Sequence, residues 1–502
     1  MLRKLLERLT GRAADAPVTV DANELVREGD RRARSGALSA ALACYRAALA
    51  ARPDCLNAHL GMGNVMVDLW MLDEAVAAYA HALAFAPQSA AIRSALLFHR
   101  HYAALIDAHA LFDAHREAGA VLMTAAARDV PVARRATAGR RLRIGYVSPN
   151  FSRHSVGYFI EPVIRHHNRA EFEIYCYYAH AKADDATRRF RDMADGWRDV
   201  ADTDGAELAA MVRADGIDVL VDLAGHSKAN RLAAFAHKPA PLQITWLGYP
   251  DTTGLPAIDL RITDAVADPA PQADTLNSER LVRIDGGFLC YQPPADSPPV
   301  GDHINPPSGV VFASFNNIAK LNAGMVRLWS AILEALPGSR LVLKSASLDF
   351  TETADRVLEG FEEFGIAAGR IEVRGWVAKR EQHQQMYEGV DIALDTYPYN
   401  GTTTTCEALW MGVPVVTRAG EVHMSRVGAS LLHAAGLGDL VAHDAVDYVK
   451  TAVALACDEE RRRELRAILR RRLEESTLLD HAGFTRKLEQ VYRDAFNALP
   501  LP

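Results

Sequence analysis

The chain has 502 residues, a length that predicts three or four domains at roughly 150 residues each. Hydrophobic residues make up 49 % and charged residues 24 %, as in ordinary globular proteins. The net charge of −7 argues against a nucleic-acid binder that neutralises phosphates, and no apolar run reaches the ~18 residues that a membrane span requires.

The cysteines are scattered along the chain, and none lies in a CxxC pair. They are Cys44, Cys55, Cys176, Cys290, Cys406 and Cys457. This usage indicates reduced, buried thiols and a cytoplasmic protein. Residues 1–20 are too polar for a signal peptide, so we expect a frayed N-terminal tail there.

Residues 21–90 repeat themselves with a spacing of 34 residues. The matching pairs are Gly29 and Gly63, Tyr45 and Tyr79, and Pro53 and Pro87. This period is typical of tetratricopeptide (TPR) repeats, which are pairs of helices. Two repeats are fewer than a free-standing array needs, so we expect them to lean on a neighbour. Two roles remain possible for the repeats: a concave surface that binds extended peptides, and a cap that only stabilises the next domain.

Residues 91–140 continue as helices without the period and form a helical linker. From 141 to 300, β-rich runs such as "LRIGYVSPNF", "FEIYCYYA" and "GIDVLVDLAGH" alternate with helical segments. Continuous apolar runs are typical of parallel strands covered on both faces. The pattern predicts a doubly wound, Rossmann-like α/β domain.

A proline-rich stretch at 290–309 marks a linker, after which the alternation of strands and helices restarts. Residues 308–475 therefore form a second Rossmann-like domain, and residues 476–502 carry an amphipathic helix that is expected to fold back across the pair. Two such domains enclose a cleft. Ligands of these sheets bind at the carboxyl ends of the strands, so the turns there are the candidate site.

Four turns of the second domain are rich in polar groups. They supply Asn317, Lys320, Lys344, His383, the run Thr402, Thr403, Thr404 and Thr405, and Glu407. Cations beside a helix start suit a diphosphate, because the start offers free N–H groups and the hydroxyls can both cap it and hold an anion. A carboxylate such as Glu407 accepts hydrogen bonds from ribose hydroxyls in nucleotide-binding folds.

The first domain adds three polar residues in the turns that follow its strands. These are His154, His226 and Tyr249, which we expect on the side of the acceptor or the sugar. Glycine-rich nucleotide loops, metalloprotease motifs and nucleophile elbows are missing from the sequence, and the acidic triplet at 202–204 is typical of a helix start. We expect no metal and no other cofactor. Lys320 and the helix start would then compensate the charge of a leaving group.

Several long motifs resemble the O-GlcNAc transferase and SPINDLY family of protein glycosyltransferases. They are "RIGYVSPNFSRHSVGYFIEP", "GIDVLVDLAGHSKANRL", "KPAPLQITWLGYPDTTGLPAIDLRITD", "SFNNIAKLN" and "ALDTYPYNGTTTTCEALWMGVPVVTRAGEVHMSRVGASLL". The resemblance implies TPR repeats before a two-domain GT-B unit. It also implies a nucleotide-sugar donor, metal-independent transfer to Ser or Thr hydroxyls of proteins, and inversion at the anomeric carbon.

The resemblance also implies roles for single residues. Lys320 matches the lysine at the donor diphosphate, Thr403 and Thr404 match the phosphate-binding threonines, and Asn317 matches an amide near the phosphates. His383 matches the histidine beside the base, and Glu407 matches the acidic residue at the ribose. His154 matches the active-site histidine near the sugar and the acceptor. Lys320 and His154 are the expected catalytic residues.

Thr402 and Glu407 stand where O-GlcNAc transferases proper have His and Asp, so the motifs are closer to SPINDLY, whose plant form uses GDP-fucose. UDP-GlcNAc and GDP-fucose therefore both remain possible donors, and the oligomeric state is undetermined. The expected acceptor is a protein or peptide held through the TPR region. A transferase acting on a small molecule or polysaccharide and a catalytically inactive TPR scaffold are the alternatives.

Overall fold

The computed structural model of the protein describes residues 21–126, 132–134 and 139–500. The tail expected at residues 1–20 lies outside the described residues, as does part of the helical linker expected at residues 91–140. The described chain forms a helical region and two parallel sheets.

Residues 22–126 form six helices joined by short turns. Their helices are α1 Ala22–Arg34, α2 Leu38–Ala51, α3 Leu56–Asp68, α4 Leu72–Phe85, α5 Ala90–Arg100 and α6 Ala108–Ala126. The repeat has a steric origin: a Cβ added at Gly29 would lie 2.7 Å from the Tyr45 ring, and one at Gly63 would lie 2.8 Å from the Tyr79 ring. Each glycine thus admits the tyrosine of the next helix.

The short helical array docks against the second α/β domain. The Trp70 indole N–H donates to the carbonyl oxygen of Leu321. The backbone carbonyl of Asp68 accepts a 2.8 Å hydrogen bond from the Thr353 hydroxyl, and its carboxylate accepts one of 3.1 Å from the Ser347 hydroxyl. The two repeats therefore gain from a neighbour the burial that a longer array would supply.

The first α/β domain is a seven-stranded parallel sheet in the order β3-β2-β1-β4-β5-β6-β7. Its strands are β1 Leu142–Ser148, β2 Phe172–Tyr178, β3 Gly196–Asp199, β4 Val219–Asp222, β5 Leu242–Thr245, β6 Leu260–Thr263 and β7 Arg280–Arg283. Its helices are α7 Ser155–His166, α8 Asp185–Met193, α9 Gly205–Asp215 and α10 Leu232–Ala236. In the central register Ile144 pairs with Ile174 on one side and Val219 on the other.

The second α/β domain is a six-stranded parallel sheet in the order β10-β9-β8-β11-β12-β13. Its strands are β8 Val311–Ser314, β9 Arg340–Lys344, β10 Ile371–Arg374, β11 Ile392–Leu394, β12 Val415–Arg418 and β13 Val441–Ala442. The helices are α11 Ala323–Ala335, α12 Thr351–Glu362, α13 Arg380–Gln385, α14 Thr403–Trp410, α15 Val427–Ala434, α16 Ala445–Cys457 and α17 Glu459–Glu474.

The last helix, α18 His481–Ala498, returns to the first domain. Its Glu489 carboxylate lies 3.0 Å from Nδ1 of the buried His167, and the hydroxyls of Tyr492 and Tyr146 are 3.2 Å apart. The predicted fold, a TPR-type helical region followed by two Rossmann-like domains, is confirmed. In the described part of the chain, every helix is too short or too polar to span a bilayer.

The cysteines only partly follow the expectation. All six are free, and five of them are buried, but Cys457 at the end of α16 is exposed. The expectation of uniformly buried thiols was therefore wrong at this position.

Candidate active site

The polar turns of the second domain meet at one edge of its sheet. Lys320 follows β8, Lys344 ends β9, His383 lies in α13 after β10, and Thr402 and Glu407 follow β11. All these strands are parallel, so their carboxyl ends lie side by side. A pocket opens at this edge, lined by Phe315, Asn316, Tyr387, Asp395, Thr404 and Thr405 among others.

Lys320 ends a short 3₁₀ turn at Ile318–Lys320. Its Nζ donates a 2.8 Å hydrogen bond to the Asn400 carbonyl oxygen and lies 3.9 Å from the centre of the Tyr399 ring. Burial lowers the pKa of Lys320 to about 8, and the charge of Asp395 opposes this shift. The ammonium group has no direct carboxylate partner among the described residues, so it is available to an incoming anion.

Two neighbouring asparagines after β8 have different hydrogen-bond partners. The side-chain oxygen of Asn317 accepts a 3.0 Å bond from the Ala319 N–H and so shapes the turn that carries Lys320. Asn316 instead reaches the helix start, where its side-chain oxygen accepts a 3.0 Å bond from the Thr404 hydroxyl. The sequence placed both asparagines in this polar turn but assigned a role at the phosphates only to Asn317.

The threonine run begins α14, but its hydroxyls do not cap the helix. Thr402 is the N-cap residue and makes no side-chain cap bond. The Thr405 hydroxyl donates back to the Gly401 carbonyl at 3.2 Å, while the buried Thr403 hydroxyl has no partner in the described structure. The capping expectation was therefore wrong. The helix start instead keeps uncapped N–H groups and an unsatisfied hydroxyl, a combination that suits an anion.

Asp395 holds the loop that precedes this helix. Its buried carboxylate accepts bonds from the Gly401 N–H at 2.6 Å, the Thr396 N–H at 2.8 Å and the Thr417 hydroxyl at 2.7 Å. Burial raises the pKa of Asp395 to about 6, even though these bonds oppose the shift. The loop therefore closes on an internal carboxylate, and this fixes where α14 begins.

His383 and Glu407 are paired. His383 Nε2 lies 3.1 Å from a carboxylate oxygen of Glu407, and its ring packs 5.8 Å from Phe315 and 5.7 Å from Tyr387, centre to centre. His383 Nδ1 is buried with no partner in the described structure. Burial lowers the pKa of the neighbouring Lys344, which the Glu407 charge opposes. The structure thus pairs His383 and Glu407, which were expected at the nucleoside end. It also places Lys344, which was expected at the diphosphate, within the influence of the Glu407 charge.

The first domain supplies the facing wall. His154 is the N-cap residue of α7, and its Nδ1 accepts a 3.2 Å bond from the Val156 N–H. The residue is exposed at the surface of the protein. Protein atoms around the imidazole still displace part of its water, and this lowers its pKa. One turn further on, the Tyr158 ring lies 4.2 Å from the guanidinium carbon of Arg380 in α13. The helices that carry His154 and His383 therefore meet across the cleft. Arg380 was not identified from the sequence.

His226 and Tyr249 have a different environment from the one expected. His226 is 2 % exposed, and its ring accepts a 2.8 Å bond from the Ser94 hydroxyl and donates one of 2.7 Å to the Thr253 carbonyl. Tyr249 is 6 % exposed and bonded to His115 at 2.8 Å. Burial lowers the pKa of His226 to about 3, so it is neutral. The expectation that His226 and Tyr249 contact the acceptor or sugar was therefore wrong. Both residues lie in the interface between the helical region and the first domain.

The chain matches the model of Glycosyl transferase family 41 over residues 119–291 and 302–488. It is 43 % identical over 388 residues to a probable UDP-N-acetylglucosamine–peptide N-acetylglucosaminyltransferase SPINDLY of Solanum lycopersicum, covering 76 % of this chain and 42 % of the relative. It is 30 % identical over 370 residues to the corresponding SEC protein of Arabidopsis thaliana, covering 71 % of this chain and 37 % of the relative. The chain thus spans about two fifths of the length of the curated relatives it matches.

A solved structure of a mutant O-GlcNAc transferase from Thermobaculum terrenum is similar to almost the whole chain. The two superpose with a TM-score of 0.89 at 37 % identity, covering 95 % of this chain and 91 % of the other. This confirms the resemblance that the motifs indicated, and the agreement includes the helical region as well as the two sheets. The chain belongs to Glycosyl transferase family 41.

Proposed function

We propose that the protein transfers a sugar from a nucleoside-diphosphate sugar to a Ser or Thr hydroxyl of a protein. The observation that carries the proposal is the convergence, at one sheet edge, of the Lys320 ammonium, the uncapped start of α14 and the His383–Glu407 pair. Membership of the family and the printed names of the relatives give the reaction class. No metal is needed in this mechanism.

The departing diphosphate is the charge that the second domain must stabilise. The Lys320 ammonium, the N–H groups at the start of α14 and the Thr403 hydroxyl are all donors without an anionic partner in the described structure. Fixed donors of this kind stabilise charge as it develops, because they need no reorganisation during the reaction. They would take the role that a divalent cation has in other transferases.

The His383–Glu407 pair suits the nucleoside. The ring of His383 packs against Phe315 and Tyr387, and its buried Nδ1, which has no partner in the described structure, would pair with a base. The Glu407 carboxylate can accept from ribose hydroxyls. Lys344 is close enough to Glu407 for the carboxylate charge to raise its pKa, against the effect of burial. We assign these three side chains to recognition of the nucleotide rather than to the chemical step.

The reaction is a direct displacement. The acceptor oxygen bonds to the anomeric carbon from the face opposite the diphosphate, the bond from that carbon to the diphosphate oxygen breaks, and the hydroxyl proton leaves to a base. His154 Nδ1 accepts from the Val156 N–H, so in the neutral ring Nε2 carries the proton and can act only as a donor. We therefore assign His154 to orienting the sugar or acceptor, and a different group or water to accepting the proton.

The donor and acceptor follow from the relatives. Their names state UDP-N-acetylglucosamine and peptide, so UDP-GlcNAc and a protein acceptor near the helical region are proposed first. GDP-fucose is the second candidate, because Thr402 and Glu407 follow the SPINDLY pattern. The free cysteines of the described residues fit the cytoplasmic location expected from the sequence.

The test is incubation with a panel of UDP- and GDP-sugars, cell lysate and synthetic Ser/Thr peptides, with intact-mass detection of labelled proteins. We expect labelling by one sugar that Lys320→Ala and the double variant Thr403→Ala/Thr404→Ala abolish, and that the exposed-lysine control Lys450→Ala retains. Wild-type labelling by both site variants would refute the assignment. Binding of neither UDP nor GDP in calorimetry would favour an inactive scaffold, and labelling of small molecules alone would favour the other alternative.

A further inference from the structure

Three potential metal ligands meet where the helical region joins the first α/β domain. His101 follows α5, His115 lies in α6, and Asp251 lies in the loop after β5. One ligand atom from each side chain lies within 4.8 Å of the other two. Both histidines are fully buried, and the Asp251 side chain is only 18 % exposed. Among the described residues this is the only such group of three.

The hydrogen bonds of the two histidines to backbone carbonyls fix which nitrogen of each ring carries a proton. Nδ1 of His115 lies 2.8 Å from the Leu111 carbonyl oxygen, and Nδ1 of His101 lies 3.3 Å from the Phe98 carbonyl oxygen. A carbonyl only accepts, so both Nδ1 atoms carry the proton. The Nε2 atoms therefore present lone pairs, which is the arrangement that metal-binding histidines use when a backbone carbonyl holds the other nitrogen.

His101 and Asp251 lie close enough to share a cation. His101 Nε2 is 3.2 Å from a carboxylate oxygen of Asp251, so a lone pair faces an anion unless a proton or a metal ion lies between them. His115 Nε2 accepts from the Tyr249 hydroxyl at 2.8 Å, so zinc would displace this hydrogen bond and leave the hydroxyl oxygen beside the site. Ligands at about 2.0–2.1 Å from a tetrahedral zinc ion are roughly 3.3 Å apart, so His101 and Asp251 already have this spacing.

We propose that His101, His115 and Asp251 bind one zinc ion, with the Tyr249 hydroxyl or a water as the fourth ligand. Two neutral imidazoles and one carboxylate are a ligand set that Zn²⁺ favours, and burial excludes the many waters that Mg²⁺ or Ca²⁺ retain. The site is structural: it ties α5 and α6 to the loop after β5. It goes beyond the proposed function and does not depend on it.

Aromatic contacts connect the proposed zinc site to the candidate active site. The His101 ring centre lies 6.2 Å from that of Tyr399, and the Tyr102 ring stacks on Tyr399 at 5.7 Å. Tyr399 in turn lies under the Lys320 ammonium. Zinc at the junction would therefore stiffen the aromatic platform on which the lysine rests, while taking no part in the displacement.

The experiment uses the full chain, stripped with a chelator and dialysed against Zn²⁺ or Co²⁺. We expect one equivalent of Zn²⁺ by elemental analysis, a higher melting temperature with Zn²⁺ than with chelator, and the visible absorption bands of a four-coordinate site with Co²⁺. Wild-type protein that retains no stoichiometric Zn²⁺ overturns the proposal, and leaves His101 in a hydrogen bond with Asp251.

Variants locate the ion. Loss of even an outer partner of a metal site costs about 10–100-fold in affinity, so His115→Gln and Asp251→Asn are expected to weaken Zn²⁺ binding by more than about 100-fold. His109→Gln is the matched control, because His109 lies on the same helix but is exposed. Equal binding by all three variants overturns the site. The wild-type measurement stands even if one variant folds poorly.

Discussion

The Lys320 ammonium nitrogen lies 3.9 Å from the centre of the Tyr399 ring, and the same ring stacks on Tyr102 of the helical region. The ammonium group beside the start of α14 therefore rests on a residue that the helical region holds in place. Lysine over an aromatic face gains electrostatic energy, and more so when the pair is desolvated. Donor binding and the helical region are thereby coupled through two aromatic rings.

This pairing predicts different effects for two substitutions of Tyr399. Tyr399→Leu removes the ring and is expected to lower kcat/KM about 10-fold, since a desolvated cation–π contact contributes about 1–2 kcal/mol. Tyr399→Phe keeps the ring and is expected to stay within about twofold of wild type. Steady-state kinetics with the donor identified in the panel measure both. A similar loss in both variants would assign the effect to the hydroxyl instead.

The lowered pKa of Lys320 predicts an alkaline limit to activity. The ammonium form supplies the charge, so kcat/KM is expected to fall as pH rises through about 8, well below the ordinary lysine value of 10.5. A bound diphosphate favours the charged form, so the limb in kcat should lie at higher pH. Lys320→Arg cannot lose its charge, and its slower reaction should show no such limb. A wild-type profile that is flat to pH 10 would contradict the assignment.

Thr403 and Thr405 form a matched pair for separating donor binding from folding. The Thr403 hydroxyl is unsatisfied in the described structure, so Thr403→Val should weaken UDP or GDP binding about 5–10-fold and leave the melting temperature unchanged or higher. Thr405→Val removes the bond to the Gly401 carbonyl and should cost about 1 kcal/mol of stability with little change in affinity. Calorimetry and thermal unfolding report the two effects. The reverse pattern would refute the anion role of Thr403.

Substitutions of Glu407 and Lys320 should differ in how they affect the binding of ligands with and without the nucleoside. Glu407→Gln is expected to weaken binding of the nucleoside diphosphate about 10-fold and to leave binding of inorganic pyrophosphate unchanged, because the carboxylate serves the ribose. Lys320→Met is expected to weaken both, because the ammonium serves the phosphates. Competition titrations with the two ligands measure this. Loss of pyrophosphate binding in Glu407→Gln would place the carboxylate at the wrong end of the donor.

The second half of the site could be predicted because a parallel sheet brings the turns after its strands to one edge. His383 and Glu407 are 24 residues apart in the chain, and the rule placed them on the same rim, where they pair at 3.1 Å. The 34-residue spacing likewise predicted the helical repeats, because each repeat needs the same glycine beneath the same tyrosine.

The first half could not be predicted in the same way. His226 bonds to Ser94, which lies 132 residues earlier, and Tyr249 bonds to His115, 134 residues earlier. Such partners meet only when the helical region docks on the sheet, and nothing in the periodicity of either segment specifies that register. The same applies to the threonine hydroxyls, whose directions depend on Asn316 and Gly401 rather than on the helix alone.

The docking of α6 on the first domain depends on two glycines, one in the helix and one in the loop after β5. A Cβ at Gly119, within α6, would lie 1.9 Å from the Gly254 carbonyl oxygen, and Gly254 itself has a φ of +68°. Alanine in a helix ordinarily stabilises relative to glycine by about 1 kcal/mol, whereas here we expect Gly119→Ala to cost about 2–3 kcal/mol. The backbone on the other side cannot move away as a flexible side chain would.

Chemical denaturation of the full chain measures the change in free energy, and hydrogen exchange along α6 shows whether the loss is local. Gly369→Ala is the control, because a Cβ there meets nothing within 4 Å. Since Gly254 lies three residues after Asp251, faster exchange in α6 of Gly119→Ala should accompany weaker retention of Zn²⁺. Stabilisation by Gly119→Ala would show that the helix and the loop after β5 do not approach as closely as the structure places them.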